Sequence, residues 1–181
     1  MRIITISREF GSGGRELGKR LADALGMQYY DREILTALAE KTEMDEAYVS
    51  RKMEQGNVHH FPITFARTFS YGGGESNTAK LLAEQQKLLK KIAEKGEDFI
   101  IIGRNADIAL EEFQPLNLFV YADMESKVNR CMEREEGNLT AAEMIKRIRQ
   151  VDKGRRKSRE LMTERAWGRK RRITCVSIPL M

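Results

Sequence analysis

The chain has 181 residues, a formal net charge of +5 and a hydrophobic content of 41%. This size predicts one domain, large enough for a core between several layers of secondary structure. No apolar run is long enough to cross a bilayer and Met1 leads straight into a strand, which disfavours membrane and secreted proteins and favours the cytoplasm. Because Cys131 and Cys175 lie far apart and His59 and His60 are the only histidines, we expect a reduced protein without a zinc site.

The start of the chain predicts a strand, a glycine-rich loop and a helix. Residues 3–6 are mostly β-branched, and leucines then recur at helical spacing over residues 17–25. Such a layout directs backbone N–H groups and the positive end of a helix dipole at one point, where glycines let the chain curl. We therefore predict a site for an anion, a phosphate above all. The alternative is a glycine-rich turn that binds nothing. The predicted phosphate-binding residues are Gly11, Ser12, Gly13, Gly14, Arg15 and Glu16.

This loop departs from the usual phosphate-binding pattern G-x-x-x-x-G-K-[ST]. With Gly14 placed on the last glycine, Glu9 stands at the first glycine, Arg15 at the lysine and Glu16 at the hydroxyl residue. Arginine can bind a phosphate through two N–H groups, so the positive charge is retained. Glutamate can bind magnesium but also repels phosphate. The loop therefore predicts phosphate binding and leaves the magnesium ligands open.

The next segments predict short elements around an irregular stretch. Residues 27–31 are β-rich, and the apolar spacing that follows predicts helices over 33–41 and 45–55. Residues 56–77 are the least regular part and contain a run of three glycines. A loop of this length is often a lid or a binding insertion, and a surface loop or an oligomer contact is the alternative.

The centre of the chain predicts one long helix and two strands. The helix over 78–95 is amphipathic and offers a face through which two copies of the chain could pair. The apolar run 99–102 is typical of a strand buried on both faces, and 116–121 predicts another strand. Asp123 then stands where it can cap the next helix.

The last segments complete an alternating pattern. Thr140 and Glu143 form a capping box, which predicts a helix from there toward Met162. Residues 173–178 predict a final strand. Because strands and helices alternate along the chain, we predict an α/β fold with three layers and a parallel central sheet.

Several charged residues come directly after predicted strands. In an open parallel sheet, ligands bind beyond the carboxyl ends of the strands, so we expect these residues to gather at one edge. They are Arg8, Asp31, Arg32, Arg104, Asp107 and Asp123. Phosphoryl transfer requires positive charge around the transferred group, and arginines in the later helices can add to it. For any one of these residues, an ordinary ion pair on a solvated surface is the alternative.

Positive charge is concentrated near the end of the chain. Residues 153–172 contain ten basic and two acidic residues, so this segment carries +8 and the rest of the chain −3. Either a nucleic-acid surface or a lid that closes over a polyphosphate would use such charge. The segment contains no recognised nucleic-acid motif, which favours the lid.

Four stretches carry a resemblance to a known family. Residues 4–16, 29–33, 101–107 and 151–153 with Trp167-Gly168 resemble, in this order, the cytidylate-kinase-like family of bacteria. The resemblance implies the P-loop fold of nucleoside monophosphate kinases, as a single domain over residues 1–181. A monophosphate-binding helical insertion would span about 31–95 and an arginine-bearing lid about 130–160.

The resemblance also implies roles for individual residues. The phosphates of ATP would be held by Gly11, Ser12, Gly13, Gly14, Arg15 and Glu16. Mg²⁺ would be held largely by the nucleotide, and its protein ligands stay open. The acceptor would be bound by Arg8, Asp31, Arg32, Arg104, Asp107 and Arg159. Transfer would be assisted by Arg15, Arg130, Arg134, Asp152 and Arg155. Ile148 stands where the family carries an arginine, so either Arg147 or Arg149 substitutes for it or the role is absent.

The expected activity is transfer of the ATP γ-phosphate to a nucleoside monophosphate such as CMP. A nucleotide sensor that binds without catalysis is the main alternative, and a nucleic-acid-binding protein is a more distant one. The expected partner is a small-molecule nucleotide rather than a nucleic acid or a membrane, and the sequence leaves open whether the chain forms a homodimer.

Overall fold

The computed structural model describes residues 1–47, 49, 74–134, 139–164, 167–168 and 174–177. Within these residues the strands are β1 Ile3–Arg8, β2 Gln28–Tyr30, β3 Phe99–Ile102, β4 Leu116–Tyr121 and β5 Thr174–Ser177. The helices are α1 Gly14–Leu25, α2 Glu33–Thr42, α3 Gly74–Glu94, α4 Ala106–Ala109, α5 Met124–Arg134 and α6 Ala141–Glu160. A short 3₁₀ helix follows α4 at Glu111–Phe113.

The described strands form one parallel sheet in the order β2-β3-β1-β4-β5. Strand β1 lies at the centre, where Ile4 pairs with Ile100 on one side and with Leu116 on the other. All carboxyl ends therefore meet at one edge of the sheet, as the sequence predicts. The loop after β1 lies between the segments that follow β3 and β4.

The core explains why the sheet is covered on both faces. Successive residues of a strand point to opposite faces. Ile3 and Ile101 pack with α3 and α4 on one face, and Ile4, Ile6 and Ile100 pack with α1 on the other. The predicted three-layer α/β architecture is confirmed.

The predicted helix starts at polar residues are largely confirmed. The Thr140 side chain accepts from the Glu143 N–H, and the Thr140 N–H donates to Glu143 Oε2, which completes the capping box of α6. Asp123 Oδ1 accepts from Ser126 N at 2.8 Å at the start of α5. Helix α3, in contrast, begins at Gly74 rather than at residue 78. The polar residues 74–77 carry no apolar spacing, so the sequence pattern does not reveal this first turn.

The apolar face of α3 is covered within the chain. Leu81 and Leu82 pack against α2, and Leu89 joins the core beside β3. None of the described helices combines the length and the apolar character needed to cross a membrane. Most of the predicted helix 45–55 and of the irregular segment 56–77 lies outside the described residues. The single domain, the insertion at 31–95 and the lid at 130–160 stay predictions.

Candidate functional site

The loop between β1 and α1 has the backbone conformation that the glycines predict. Gly11 and Gly13 have φ angles of 76° and 85°, in the left-handed region that favours glycine, and α1 begins directly after Gly13. A Cβ placed on Gly11 would lie 2.8 Å from Cys131 Sγ and 2.9 Å from the Lys127 carbonyl oxygen. The loop thus packs directly on α5 and ends at the N-terminus of α1. Residues 9–14 are called the phosphate loop below.

Helices α5 and α6 hold the phosphate loop by hydrogen bonds to its backbone and to the backbone of Arg8, which precedes it. Arg130 Nη1 donates to the Gly11 carbonyl at 2.9 Å. The Phe10 N–H donates to Asp152 Oδ1 at 2.8 Å, and Arg155 Nη1 donates to the carbonyl of Arg8 at 3.0 Å. Three residues with predicted catalytic roles are therefore brought to the loop by contacts far apart in sequence.

The carboxylates near the phosphate loop are paired with cations. Glu9 is bound at 2.8 Å by Lys127, whose side chain is 8% exposed. Glu16 pairs with Arg20 at 2.6 Å and with Arg134, and these two arginines lower the pKa of its carboxyl. The described residues contain no group of three or more His, Cys, Asp or Glu able to hold a metal ion. Glu16, the residue at the hydroxyl position, is thus engaged with arginines.

Beside the loop, arginines from three other segments lie near Arg8. Arg8 at the end of β1 is 12% exposed and lies 3.7 Å from Asp31 Oδ1. The pKa of its guanidinium is lowered from 12.5 to about 9, mainly by burial and also by Arg155, Arg104 and Arg15, whereas Asp31 raises it. Arg8, Arg15, Arg104 and Arg155 are called the arginine cluster below.

A glycine makes room for this cluster. Gly103 follows β3 with a φ of 72°, and a Cβ on it would collide with Arg8 Nη1. Arg8 therefore extends from β1 across the end of β3. Asp152 lies nearby, 3.4 Å from Arg155 Nη1, and burial raises the pKa of its carboxyl. Positive charge outweighs negative charge here, so the cluster suits a ligand with several negative charges.

The arginine cluster and the phosphate loop line one cavity of about 490 Å³. This volume lies in the range of small-molecule sites. Predicted site residues in its wall are Arg8, Gly11, Ser12, Gly13, Gly14, Arg15, Arg32, Arg104, Arg134 and Arg155. Arg147 also lines the cavity, whereas Ile148 is fully buried between α5 and α6. Of the two proposed substitutes for the family arginine, Arg147 is the one in the cavity wall.

Other predicted residues lie beside this cavity rather than in its wall. Glu16 and Asp31 line a neighbouring, more open cavity of about 520 Å³ around Arg15, where Asp31 forms an ion pair with Arg15. Asp107 and Arg159 bind each other through two hydrogen bonds of 3.0 and 2.8 Å, and their side chains are 8% and 4% exposed. As substrate-binding residues, Asp107 and Arg159 stay predictions.

Sequence reasoning missed Lys127 and Gln85. Lys127 lies in the first turns of α5, where a lysine is ordinarily exposed, so no sequence signal marks its pairing with Glu9. Gln85 shares a helix face with Leu81 and Leu89, and all three are fully buried. A polar residue in an apolar stripe is a signal that could have identified Gln85.

Comparisons with known proteins agree with this geometry. An uncharacterized protein from Eubacterium ventriosum is similar at 25% identity and a TM-score of 0.70, covering 98% of this chain and 88% of that chain. Shikimate kinase from Bacteroides thetaiotaomicron shares the fold at 16% identity and a TM-score of 0.52, covering 89% and 82%. A sugar kinase from Janibacter sp. shares it at 15% identity and a TM-score of 0.50, covering 97% and 84%.

No curated protein matches the sequence significantly. The profile of the cytidylate kinase-like family matches residues 3–176, which is nearly the whole chain. With the phosphate loop at the centre of the sheet and the arginine cluster beside it, this match confirms the resemblance found in the sequence. The chain belongs to the cytidylate kinase-like family.

Proposed function

We propose that this protein transfers the γ-phosphate of ATP to a nucleoside monophosphate such as CMP. The observation that carries the proposal is the arginine cluster, which lines the same cavity as the phosphate loop. Phosphoryl transfer depends mainly on positioning and on neutralising charge, and both can be supplied by arginines and loop amides. The family membership supports a kinase, while the choice of acceptor rests on this proposal.

In this mechanism the backbone amides of Gly11 to Gly14 hold the donor phosphates at the N-terminus of α1. An oxygen of the acceptor phosphate attacks the γ-phosphorus, and the bond to the β–γ bridging oxygen breaks, which releases ADP. A phosphate monoester is already largely deprotonated at neutral pH, so this step requires no protein base. Arg8 and Arg155 neutralise the charge on the transferred group, and Arg104 holds the acceptor side.

Magnesium fits this mechanism as a partner of the nucleotide. Glu9, Glu16 and Asp31 are engaged with Lys127, Arg20, Arg134, Arg15 and Arg8. We therefore propose that Mg²⁺ is bound mainly by the phosphates of ATP and by water, as is common for this ion. When bound, it supplies additional positive charge to the phosphates.

The test is ADP release with ATP, Mg²⁺ and each of the common ribo- and deoxyribonucleoside monophosphates, with ³¹P NMR to identify the products. We expect ADP and a nucleoside diphosphate in equal amounts. Arg155→Ala should lower kcat by about 100-fold or more, because it removes a cation from the transferred group. Arg156→Ala, an exposed neighbour on α6, should leave kcat unchanged. ATP binding without transfer to any acceptor would instead favour the nucleotide sensor.

A further inference from the structure

Gln85 on α3 lies where a polar side chain is costly. It is fully buried, in one stripe with Leu81 and Leu89. A buried amide destabilises a protein unless its donors and acceptors are bonded. The presence of glutamine at this position therefore calls for a partner on each end of the amide.

One end of the amide has such a partner. Gln85 Nε2 donates to the carbonyl oxygen of Arg104 at 2.9 Å. The other end, Oε1, is buried without a hydrogen-bond partner among the described residues. Because rotating the amide would lose the bond to Arg104 and place two oxygens together, Oε1 is held as an acceptor. The amide is therefore held in one orientation, with its donor bonded and its acceptor oxygen without a partner among the described residues.

The bond to Arg104 connects Gln85 to the candidate site. Gly103, Arg104 and Asn105 have successive φ angles of 72°, 60° and 50°. Two non-glycine residues in this region are unfavourable and persist only where the surroundings hold them. Gln85 on α3 stabilises this turn through its bond to Arg104. On the other side, Asn105 Nδ2 donates to Ser158 Oγ on α6 at 3.3 Å.

Gln85 also lines the cavity itself, together with Arg104, Asn105 and Ser158. This wall follows β3 and lies across Arg8 from the phosphate loop, which is where the proposed function places the acceptor. Gln85 Oε1 is covered from solvent within that wall, so a donor on the molecule that receives the phosphate reaches it when the wall opens locally around the amide.

We propose that Gln85 selects the acceptor by accepting a hydrogen bond, at Oε1, from an N–H or O–H group of the nucleoside monophosphate. The proposal rests on the proposed function. A base with an amino group at C4, such as cytosine, can donate this bond, whereas uracil presents a second acceptor at that position. A ribose hydroxyl is the other source of a donor, and it separates CMP from 2′-deoxy-CMP.

The experiment compares kcat/KM for CMP, UMP, 2′-deoxy-CMP and a pyrimidin-2-one ribonucleoside monophosphate, which lacks the 4-amino group. In the wild type, removal of one of these two groups, the 4-amino group or the 2′-hydroxyl, should lower kcat/KM by 10-fold or more. In Gln85→Leu that discrimination should fall to 3-fold or less. Gln85→Glu keeps an acceptor oxygen and should keep the discrimination, with a lower kcat because it loses the donor to Arg104. Gln86→Leu, at the adjacent position, should resemble the wild type.

The outcomes separate this proposal from the proposed function. If the wild type transfers phosphate to none of the monophosphates, both the proposed function and the role of Gln85 are overturned. Transfer with less than 2-fold discrimination against both deletions overturns the role of Gln85 alone, and this measurement needs no variant to fold. Unchanged discrimination in a folded Gln85→Leu variant, checked by circular dichroism, overturns it equally.

Discussion

Arg159 and Asp107 illustrate how the surroundings of a residue limit its role. Both follow or face the carboxyl edge of the sheet, and the sequence assigns both to the acceptor. In the structure each uses two polar atoms to bind the other, at 3.0 and 2.8 Å, and both are buried. Such a pair joins α4 to the end of α6 and satisfies two charges that neither helix could bury alone.

Replacing Arg159 tests which role dominates. Arg159→Ala leaves the Asp107 carboxylate buried and unpaired, so we expect the free energy of unfolding to fall by roughly 3–5 kcal/mol. Urea denaturation monitored by circular dichroism measures this, and Arg156→Ala on the same helix should change stability by less than about 0.5 kcal/mol. Unchanged stability with a raised KM for the acceptor would favour the substrate-binding role instead.

At the scale of elements, α6 is the structural support of the phosphate loop. Its N-terminus is fixed by the capping box at Thr140, and its middle contributes Asp152 and Arg155 to the backbone of residues 8–10. Arg147 and Arg155 also lie over the Phe10 ring, 5.9 and 5.8 Å from its centre. A movement of α6 would therefore change the loop conformation directly.

Asp152 allows this dependence to be measured. Asp152→Ala removes the acceptor of the Phe10 N–H, so we expect about 1–3 kcal/mol lower stability and faster hydrogen exchange in residues 9–14. Asp152→Asn keeps an acceptor oxygen and should retain slow exchange.

The pH dependence of the asparagine variant has a defined sign. Burial raises the pKa of Asp152 in the folded protein, so folding disfavours its charged form. This cost is complete above the folded pKa and disappears as the pH falls through it toward the ordinary value of 3.8. Asp152→Asn should thus be at least as stable as the wild type at pH 7, with a smaller advantage near pH 4. A stability loss equal to that of alanine would contradict this account.

The elements were more predictable than the site. Local signals, such as the apolar run at 99–102 and the capping box at Thr140, determine strands and helix starts, and these agree with the structure. The edge where the site forms follows from parallel topology. The partners of Lys127 and Gln85 were not predictable, because Glu9 and Arg104 meet them only after distant segments pack together. No local pattern records such contacts.

For the whole molecule, part of the positive charge near the end of the chain lies inside the fold, while Lys153, Arg156 and Lys157 of the same segment are exposed. Residues 153–172 carry +8, yet in the described part of this segment Arg155 is 23% exposed and Arg159 is 4% exposed. These cations are directed toward Arg8 and Asp107 rather than toward solvent. The cavity wall includes Arg155.

Arg8→Met tests whether the buried charge of Arg8 in the arginine cluster destabilises the fold and strengthens nucleotide binding. The pKa of Arg8 is about 9 in the folded protein against 12.5 ordinarily, so folding disfavours its charged form. The destabilisation is complete below pH 9 and decreases as the pH rises from 9 toward 12.5. Without nucleotide, the variant should therefore be more stable than the wild type at pH 7. This difference in the free energy of unfolding should be smaller at pH 10.

Nucleotide should reduce that advantage of the variant. ATP at 100 times its Kd stabilises a protein by about 2.7 kcal/mol, and a tenfold weaker Kd removes about 1.4 kcal/mol of this. We expect Arg8→Met to bind ATP at least 10-fold more weakly by calorimetry and to show a smaller ATP-induced rise in Tm. Equal affinity in the two proteins would place Arg8 outside the nucleotide site.

The cavity has two sides, which are supported by different sets of contacts. The phosphate loop follows β1 and is held by α5 and α6, while the turn at residues 103–105 follows β3 and is held by α3 through Gln85 as well as by α6 through Ser158. Substitutions along α3 therefore reach this turn, where we propose that the acceptor binds, without touching the contacts that support the phosphate loop. Under the proposed function, such a chain can exchange one acceptor for another through substitutions in a single helix while its phosphate loop is retained.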